Sequence, residues 1–565
     1  MTTKNILKPF LGIALSGILL GGCQEDFLDV VPTDRVSDAS ILSDSTLFEA
    51  YVINRYLGVR LTNKEGDSYQ PGFGRGFEYA MWSSLTDESI YNNDDNTWFI
   101  QQGQLSPQNT GIAGTFWGRS YRSIREVNYA LANIGELEMS QSGKDLLIAE
   151  LKFIRAFRYF DLIKNYGDVV FMGDNVAQLG DDFTDPSFYE RIGKEDAIAY
   201  AAQELDAAAS VLPQTNSSLW QEGRATKGAA LALKSRLLLY AASPLYNDGG
   251  SDAQKWQEAA QAARAVIDLG QYSLYQNGYG ELFLTPQSNS EIIFARYYNI
   301  NARHTALEIA NGPNGYDGWG GNVPLQNLVD DYEMMDGTAF SWDNEEQASN
   351  PYENRDPRFY ESILYNGAPY REREVETFLP NGKDSQGGPS NWNTSKTGYY
   401  LRKFIDEDLP IRNPWEVAGT QNWIYFRYAE ILLNYAEAQN EAVGPDASVY
   451  EAVNSIRSRS GVEMPLLPAG LSQDEMRERI HHERRIELAF EEHRYYDVRR
   501  WMTAEEVENT PAYGIEIVKS ADGSLSYTRK VSLNGKMFQQ KNYWLPIPRS
   551  EILASNNQLE QNPGY

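Results

Sequence analysis

The sequence is poor in the residue types on which most catalytic and metal sites depend. It holds one cysteine, Cys23, in 565 residues, so the chain has no partner for an internal disulfide. Only four histidines occur, and the adjacent His481 and His482 would point about 100° apart on a helix, which disfavours a shared metal ion. No HExxH, Gly-x-Ser-x-Gly or P-loop motif is present. These absences argue against zinc-protease, α/β-hydrolase and P-loop chemistry.

Positive charge and long apolar runs are also scarce. The chain has 50 Lys and Arg against 78 Asp and Glu, a formal net charge of −28. A surface this acidic repels phosphate backbones, so nucleic acid is a poor partner. After the N-terminal apolar stretch no second long apolar segment occurs, so no transmembrane helix is predicted in the mature chain.

The N-terminal stretch has the layout of a secretory signal. Lys4 and Lys8 precede an apolar run over residues 10–20, and two glycines then lead to Cys23. The run is shorter than the roughly 20 residues needed to cross a bilayer. We therefore predict a signal peptide at residues 1–22, and an ordinary signal with a nearby free cysteine is the alternative to lipidation.

The sequence around Cys23 resembles a bacterial lipobox, in which the cysteine is acylated and becomes the first residue. The following Gln-Glu-Asp at 24–26 resembles the acidic tag that sends Bacteroidetes lipoproteins to the cell surface. Several acyl chains, at about 0.8 kcal/mol per buried methylene, would hold a protein firmly on a membrane. The expected location is the outer membrane, lipid-anchored and facing the cell exterior.

Apolar residues recur at helical spacing in two parts of the chain, about 112–270 and 423–500. These paired helices, rich in Ala and Tyr, resemble tetratricopeptide repeats, and we predict a mainly α fold. The predicted helices cover about residues 117–134, 144–166, 195–212, 225–239, 253–269, 428–442, 449–458 and 472–493.

Two intervening regions, about 62–111 and 270–420, are rich in Gly, Asn, Asp, Pro and aromatic residues. Their aromatic content is too high for disorder, and loops of this length are usually functional. We therefore predict long irregular loops with a few short strands, which form a binding face on the helical scaffold.

Four sequence blocks in the last third carry a family resemblance. They are residues 427–438, 453–461, 483–491 followed by Arg494, Asp497, Arg500 and Trp501, and the ending at 545–548 and 562–565. Their order and spacing resemble the SusD/RagB family of Bacteroidetes outer-membrane lipoproteins. The resemblance implies a single SusD-like domain over 23–565 with a tetratricopeptide scaffold.

The resemblance also implies a function and a partner. Family members sit as a lid on a SusC-type TonB-dependent transporter, capture an oligosaccharide and deliver it to the barrel for import. RagB-like members bind a peptide instead, which is one alternative for this chain. No catalysis belongs to this role, and no cofactor or metal-binding residue is predicted.

The family's glycan site is built from the region before the first repeat and from an insertion near mid-chain. These correspond here to residues 62–105 and about 295–325, with a contribution expected from 365–400. Trp and Tyr rings cover the C–H patch of a sugar ring, while polar side chains bond its hydroxyls. The candidates implied are Trp82, Trp98, Tyr316, Trp319 and Tyr298, and further candidates are Tyr79, Tyr91, Asn96, Arg371 and Tyr399.

Trp82 and Trp319 are expected to converge on one exposed platform, with core packing as the alternative for each tryptophan. The oxygen-rich stretch 92–96 is compatible with a solvated turn, with calcium binding or with hydrogen bonds to sugar hydroxyls.

A glycoside hydrolase is a further alternative and would need two facing carboxylates. Adjacent pairs such as Asp330 and Asp331 arise by chance among 78 acids, and nothing in the sequence marks two as facing.

Overall fold

A computed structural model describes residues 44–56, 77, 80–94, 97–178, 180–299, 307–411 and 419–565. The predictions on residues 1–22, Cys23, Tyr79 and Asn96 lie outside these ranges. Within them, no helix is long and apolar enough to cross a membrane.

Helices dominate the described chain, and the strands are short. The helices are α1 Ser45–Asn54, α2 Trp98–Gln101, α3 Thr115–Asn133, α4 Gln141–Tyr166, α5 Lys194–Val211, α6 Lys227–Ala242, α7 Ala253–Ile267, α8 Glu281–Leu284, α9 Leu307–Asn311, α10 Gln326–Asp331, α11 Glu345–Ser349, α12 Pro357–Ser362, α13 Tyr428–Val443, α14 Ala447–Arg457, α15 Gln473–Glu487, α16 Arg494–Arg500, α17 Ala504–Glu508 and α18 Arg549–Ala554. The strands are β1 Ser89–Tyr91, β2 Val169–Val170, β3 Arg191–Ile192, β4 Ile292–Arg296, β5 Asn322–Pro324, β6 Ile363–Leu364, β7 Pro369–Tyr370, β8 Arg373–Glu374, β9 Tyr400–Leu401, β10 Trp423–Arg427, β11 Ala512–Lys519 and β12 Leu525–Leu533.

The strands form antiparallel two-stranded pairs, and some of these pairs join distant parts of the chain. The pairs are β1 with β5, β2 with β3, β4 with β10, β6 with β9, β7 with β8, and β11 with β12. The β4–β10 pair leads directly into α13, so it connects the mid-chain loops to the C-terminal helices. The mainly α fold predicted from the helical spacing is confirmed.

The long helices pack as successive pairs whose ends follow local capping chemistry. Ser140 caps α4 by accepting a bond from the Gly143 amide at 3.2 Å, and Gly167 ends the helix at φ +74°. Ser472 and Glu475 form a capping box at the start of α15. The predicted helices that correspond to α3–α7, α13 and α14 are confirmed to within a few residues.

One predicted helix is wrong in its extent. The sequence pattern predicts a single helix over 472–493, but α15 ends at Glu487 and α16 begins at Arg494. Between them Phe490 and Glu492 adopt left-handed backbone, at φ +63° and +66°, which an α-helix cannot contain. The break lets Glu491 point toward other segments rather than along the helix.

A buried cluster of arginines and glutamates lies where α15 ends. Glu487 accepts from Arg427 at 2.7 Å, from Arg459 at 2.5 Å and from Arg358 at 2.9 Å. Arg427 also bonds Glu291 and Glu491, at 2.8 and 2.7 Å. The three arginines, Glu487 and Glu291 are buried, and the Glu491 side chain is 6% exposed. We call this set the buried ion network. It also includes Glu483, which bonds Arg358 and Arg457, and Glu333, which bonds Arg457.

The buried ion network joins the helical and loop-rich parts of the molecule. Arg427 ends β10, Glu291 precedes β4, and Arg358 belongs to α12 in the mid-chain region. Burial disfavours ionisation of Glu487, but Arg459, Arg427 and Arg358 together outweigh it and hold its pKa below the usual range. Glu487 therefore stays ionised in the protein interior, because several arginines surround it.

Trp82, predicted to be an exposed platform, is in fact a core residue. Its side chain is 1% exposed, and its ring stacks on Phe116 with centroids 5.6 Å apart. Tyr495 lies 4.4 Å away and Tyr496 6.2 Å away, both on α16. The prediction is wrong because α16 covers the ring, although the polar residues Ser83 and Ser84 follow it along the chain.

We predict that Glu487→Gln destabilises the protein by about 3–5 kcal/mol, because it leaves three buried arginines short of negative charge. Urea unfolding measures the change, and Glu346→Gln on exposed α11 is the matched control, expected within about 0.5 kcal/mol of wild type. The depressed pKa of Glu487 makes its contribution present above about pH 4.5 and lost as the pH falls. An equal effect of the two variants would contradict the role of the network.

We predict that Trp82→Ala lowers the free energy of unfolding by about 3–5 kcal/mol, because a large ring is removed from a packed core. The measurement is thermal and urea unfolding of the purified protein. A Trp82→Ala protein with the melting temperature of the wild type would mean that the ring is not packed as described.

Candidate functional site: an aromatic loop surface

Pairing of β1 with β5 brings together the two loop regions that the sequence assigns to the site. Ser89 lies opposite Pro324 and Tyr91 opposite Asn322 in this antiparallel pair. Beyond the strand end, the Asn92 amide donates to the Gly321 carbonyl at 2.7 Å. The chain around residue 92 therefore lies directly beside the chain around residue 321.

Asn92 connects a third segment to this pair. Its Nδ2 donates to the Thr394 carbonyl at 2.9 Å, and its Oδ1 accepts from the Lys396 amide at 3.0 Å. The side chain is buried, so each of these bonds forms away from competing water. Asn92, suggested from sequence as one of several oxygen ligands, instead fixes the loop at 394–396 against β1.

Two further buried amides hold the same loops from below. Asn322 Oδ1 accepts from the Met81 amide at 2.9 Å and from the Ser84 hydroxyl at 2.7 Å. Its amide and Nδ2 both donate to Asn311 Oδ1, each at 2.8 Å. These bonds make the backbone beneath the loops a fixed support rather than an adaptable one.

Trp98 lies at this junction and keeps a partly exposed ring. Its Nε1 donates to the Tyr91 carbonyl at 2.8 Å, and its amide donates to Asp94 Oδ1 at 2.9 Å. The Lys396 ammonium lies 5.1 Å from the ring centroid and donates to the Asn92 carbonyl at 2.6 Å. Partial burial lowers the pKa of Lys396, and Asp94 acts in the opposite direction. The Lys396 ammonium therefore lies over one face of the partly exposed Trp98 ring.

Tyr316 and Trp319 are half-buried on the neighbouring loop. Both pack against Ile309 and Ile411, which form a small apolar cluster beneath them. Tyr316 donates to the Tyr370 carbonyl at 2.7 Å, and the Arg373 guanidinium lies 4.2 Å from its ring centroid. One face of Tyr316 is therefore already covered, whereas Trp319 rests on an apolar base.

Trp392 belongs to the same surface but was not predicted individually. It is 56% exposed, within the loop that Asn92 ties down. The next residue, Asn393, approaches Gly320 so closely that a Cβ at Gly320 would lie 2.8 Å from the Asn393 carbonyl oxygen. Trp319 and Trp392 thus flank one close backbone contact. Trp392 lies in the stretch Gly-Gly-Pro-Ser-Asn-Trp-Asn, the same composition that singled out Trp319, so the sequence contained a usable indication.

The tips of these loops share a backbone feature. Asp94, Asp317 and Asn393 all adopt left-handed conformations, at φ +69°, +68° and +56°. Asn and Asp tolerate this region because their short side chains bond locally. The turns therefore present polar side chains next to the aromatic rings. We call the surface formed by Trp98, Trp319 and Trp392 with these turns the aromatic loop surface.

Three other predicted site residues do not contribute accessible rings to this surface. Tyr91, Tyr298 and Tyr399 are buried, and Tyr399 donates to Gln326 Oε1 at 2.6 Å in the core. Tyr298 packs on Phe77 with centroids 6.2 Å apart. The prediction that these three tyrosines are exposed stacking residues is wrong, because the rings in these strands and strand ends face the interior.

Arg371 has a structural role beside the surface. Its Nη2 donates to the Leu409 carbonyl at 2.5 Å, and its backbone is left-handed at φ +53°. The guanidinium therefore fastens the β7–β8 turn to the loop at 409. That contact uses part of its hydrogen-bonding capacity.

Chemically, the aromatic loop surface can bind but offers no arranged catalytic pair. In the described ranges, no group of three or more His, Cys, Asp or Glu is placed to hold a metal. Asp330 accepts from Gln326 and Trp342, whereas Asp331 accepts from Arg485, so the two carboxylates serve different partners. A groove of about 720 Å³ lies between α5, α6 and α7. It is lined by alanines, leucines, four acidic side chains and two ion-paired lysines, with Tyr246 as its one aromatic ring.

Comparison with known proteins assigns the chain to a family. A family model described as "SusD family" matches residues 284–565, and one described as "Starch-binding associating with outer membrane" matches residues 26–239. SusD-like protein P2 of Formosa agariphila is 26% identical over 473 residues, which cover 80% of this chain and 81% of that protein.

Solved structures give the same result. A SusD-like protein from Bacteroides fragilis is 29% identical, with a TM-score of 0.75 over 95% of this chain and 100% of that one. A SusD-like carbohydrate binding protein from the same species is 27% identical, with a TM-score of 0.76 over 91% and 99% of the two chains. The matches span both the helical and the loop-rich parts, and the chain belongs to the SusD/RagB family.

Proposed function

We propose that this protein is a cell-surface lipoprotein that binds an oligosaccharide on the aromatic loop surface. The observation that carries the proposal is the meeting of Trp98, Trp319 and Trp392, which come from three distant segments, beside polar turns. Flat rings cover the apolar C–H patch of a sugar, and neighbouring Asn, Asp and Lys groups bond its hydroxyls. Fixed backbone support lowers the entropy cost of binding.

Two further observations support a glycan over a peptide. The surface consists of side-chain rings and amide or carboxylate groups rather than an exposed sheet edge, which is how extended peptides are commonly bound. A relative of 27% identity is named a carbohydrate binding protein. The RagB-like alternative, a peptide ligand, remains an outcome of the test below.

We also propose attachment to the outer membrane through Cys23 and partnership with a SusC-like TonB-dependent transporter. The lipobox-like sequence and the acidic residues after it motivate the attachment. The name of one matching family model refers to association with the outer membrane. A binding protein without a channel delivers nothing, so a transporter is the partner that this role requires.

We predict that Trp392→Ala and Trp319→Ala each weaken glycan binding by about tenfold or more, roughly 1.4 kcal/mol, because a stacking surface is lost. A glycan array with the mature protein identifies the ligand, and calorimetry then measures the affinity of each variant. The melting temperature of Trp392→Ala should stay near that of wild type, because the ring is mostly exposed.

Leu219→Ala is the control, since this side chain is 86% exposed in the loop between α5 and α6. It should leave both affinity and melting temperature unchanged. Unchanged affinity in both tryptophan variants would exclude this surface as the site. Binding of peptides and of no glycan on parallel arrays would favour the RagB-like alternative.

We predict that Cys23→Ala releases the protein from washed outer membranes, because acyl chains can no longer anchor it. The experiment expresses tagged wild-type and variant chains in a Bacteroidetes host and follows both by immunoblot. Gentle detergent extraction of the wild type should co-purify a large TonB-dependent barrel. Retention of the variant in the membranes would refute the anchor, and repeated recovery of the wild type alone would refute the partnership.

A further inference from the structure

A second concave site lies away from the aromatic loop surface. It is a cavity of about 400 Å³ between α3, the segment that follows β2, and the C-terminal helix α18 with Leu559. This volume lies within the range of small-molecule pockets. Six aromatic side chains line it: Trp117, Tyr121, Phe171, Phe183, Phe188 and Tyr189. The cavity shares no residue with the aromatic loop surface.

The aromatic walls are held in place although part of them is open to solvent. The Tyr121 hydroxyl accepts from the Val170 amide at 2.8 Å, and Tyr189 donates to the Phe183 carbonyl at 3.1 Å. Phe183 and Phe188 contact each other with ring centroids 5.3 Å apart. Phe171 and Phe183 nevertheless stay 36% and 42% exposed, which leaves apolar surface uncovered at the cavity.

A single carboxylate lines this aromatic cavity. Glu551 of α18 is half-buried, and in the described chain no cationic side chain pairs with it. Burial raises the pKa of Glu551, and no neighbouring charge counteracts that shift. A partly buried carboxylate normally has a cationic partner or several hydrogen-bond donors. The part of the cavity beside Glu551 can therefore accept a positively charged group.

The loop beside the cavity mouth is acidic, and two arginines lie nearby: Arg122 lines the cavity, and Arg125 donates to the Ala177 carbonyl. The loop over residues 180–190 carries Asp181, Asp182, Asp185 and Glu190, and it contains no Lys or Arg. The three aspartates accept bonds from amides of their own loop. The side chain of Arg122 is exposed to solvent. An acidic mouth on a protein of net charge −28 attracts cations.

The polar groups of the cavity are too few for a sugar. Besides Glu551 and Arg122, the neutral polar side chains that line it and do not form part of its aromatic walls are Asn175 and Ser187. A pyranose would leave several buried hydroxyls without partners, and each unmet bond costs affinity. An ammonium group, by contrast, is attracted by aromatic faces through cation–π interaction and by the carboxylate through its opposite charge.

We propose that this cavity binds a small organic cation, an ammonium group carried on an apolar body such as an aryl-alkyl chain. The ammonium lies at Glu551, and the apolar body contacts the rings of Phe171, Phe183 and Phe188. The cavity volume accommodates such a molecule, and the acidic loop raises its local concentration. This site is independent of the proposed glycan binding.

The test compares two probes of nearly equal shape, 2-phenylethylammonium and the uncharged 2-phenylethanol, on the mature protein by calorimetry at pH 7.5. We predict that the ammonium binds at least tenfold more tightly. Glu551→Gln should reduce this preference to threefold or less, while Glu346→Gln on α11 should leave it unchanged. Because only the ionised carboxylate attracts the ammonium, binding should weaken as the pH falls through the raised pKa of Glu551.

Phe183→Ala provides a second variant that should keep the fold, because this side chain lies on an exposed loop and is 42% exposed. It should weaken ammonium binding severalfold with an unchanged melting temperature. Equal affinity for the two probes, no binding of either, or a preference that survives Glu551→Gln would overturn the proposal.

Discussion

The buried ion network around Arg427 and Glu487 is the interaction on which the rest of the structure depends. It connects the end of α15 to β10, to the segment before β4 and to α12, so it joins the helical scaffold to the mid-chain loops. Buried ion pairs are weak evidence for stability, because desolvation offsets much of the attraction. Their value here is geometric, since each guanidinium meets its carboxylates in one arrangement only.

The network also explains why α15 ends where it does. A continuous helix would place Glu491 on the same helix face as Glu487, one turn further along. The left-handed residues Phe490 and Glu492 turn the chain, and Glu491 then bonds both Arg427 and Lys403, each at 2.7–2.8 Å. The ion pairs of Glu491 thus offset the backbone strain at Phe490 and Glu492.

The aromatic loop surface rests on a second set of buried polar groups. Asn92, Asn311 and Asn322 bond the backbones of loops that have little regular structure of their own. Side-chain amides suit this task because each offers donors and acceptors together. The loops can therefore hold exposed rings in place without a sheet beneath them. Rings on such a fixed support lose little entropy on binding, whereas the cavity at Glu551 relies on enclosure and charge.

Much of the fold could be predicted from the sequence, because helical spacing is a local property. The periodic apolar residues of α3 to α7, and Gly167 after α4, defined these elements without knowledge of their neighbours. The composition of the loops likewise identified the regions that meet at β1 and β5. The blocks near the C-terminus indicated the family, since their order persists along the chain.

Tertiary structure alone decided which aromatic rings are accessible. Trp82 and Trp319 lie in similar local sequence, yet α16, some 410 residues away along the chain, covers the first. Trp392 stays exposed although Asn92, 302 residues from Thr394, anchors its loop. Among the described residues Glu551 has no cationic partner, and α18 places it in the same cavity as Trp117 and Tyr121 of α3. The sequence by itself determined the helices and the family, and long-range packing determined the sites, because burial depends on contacts that no local window contains.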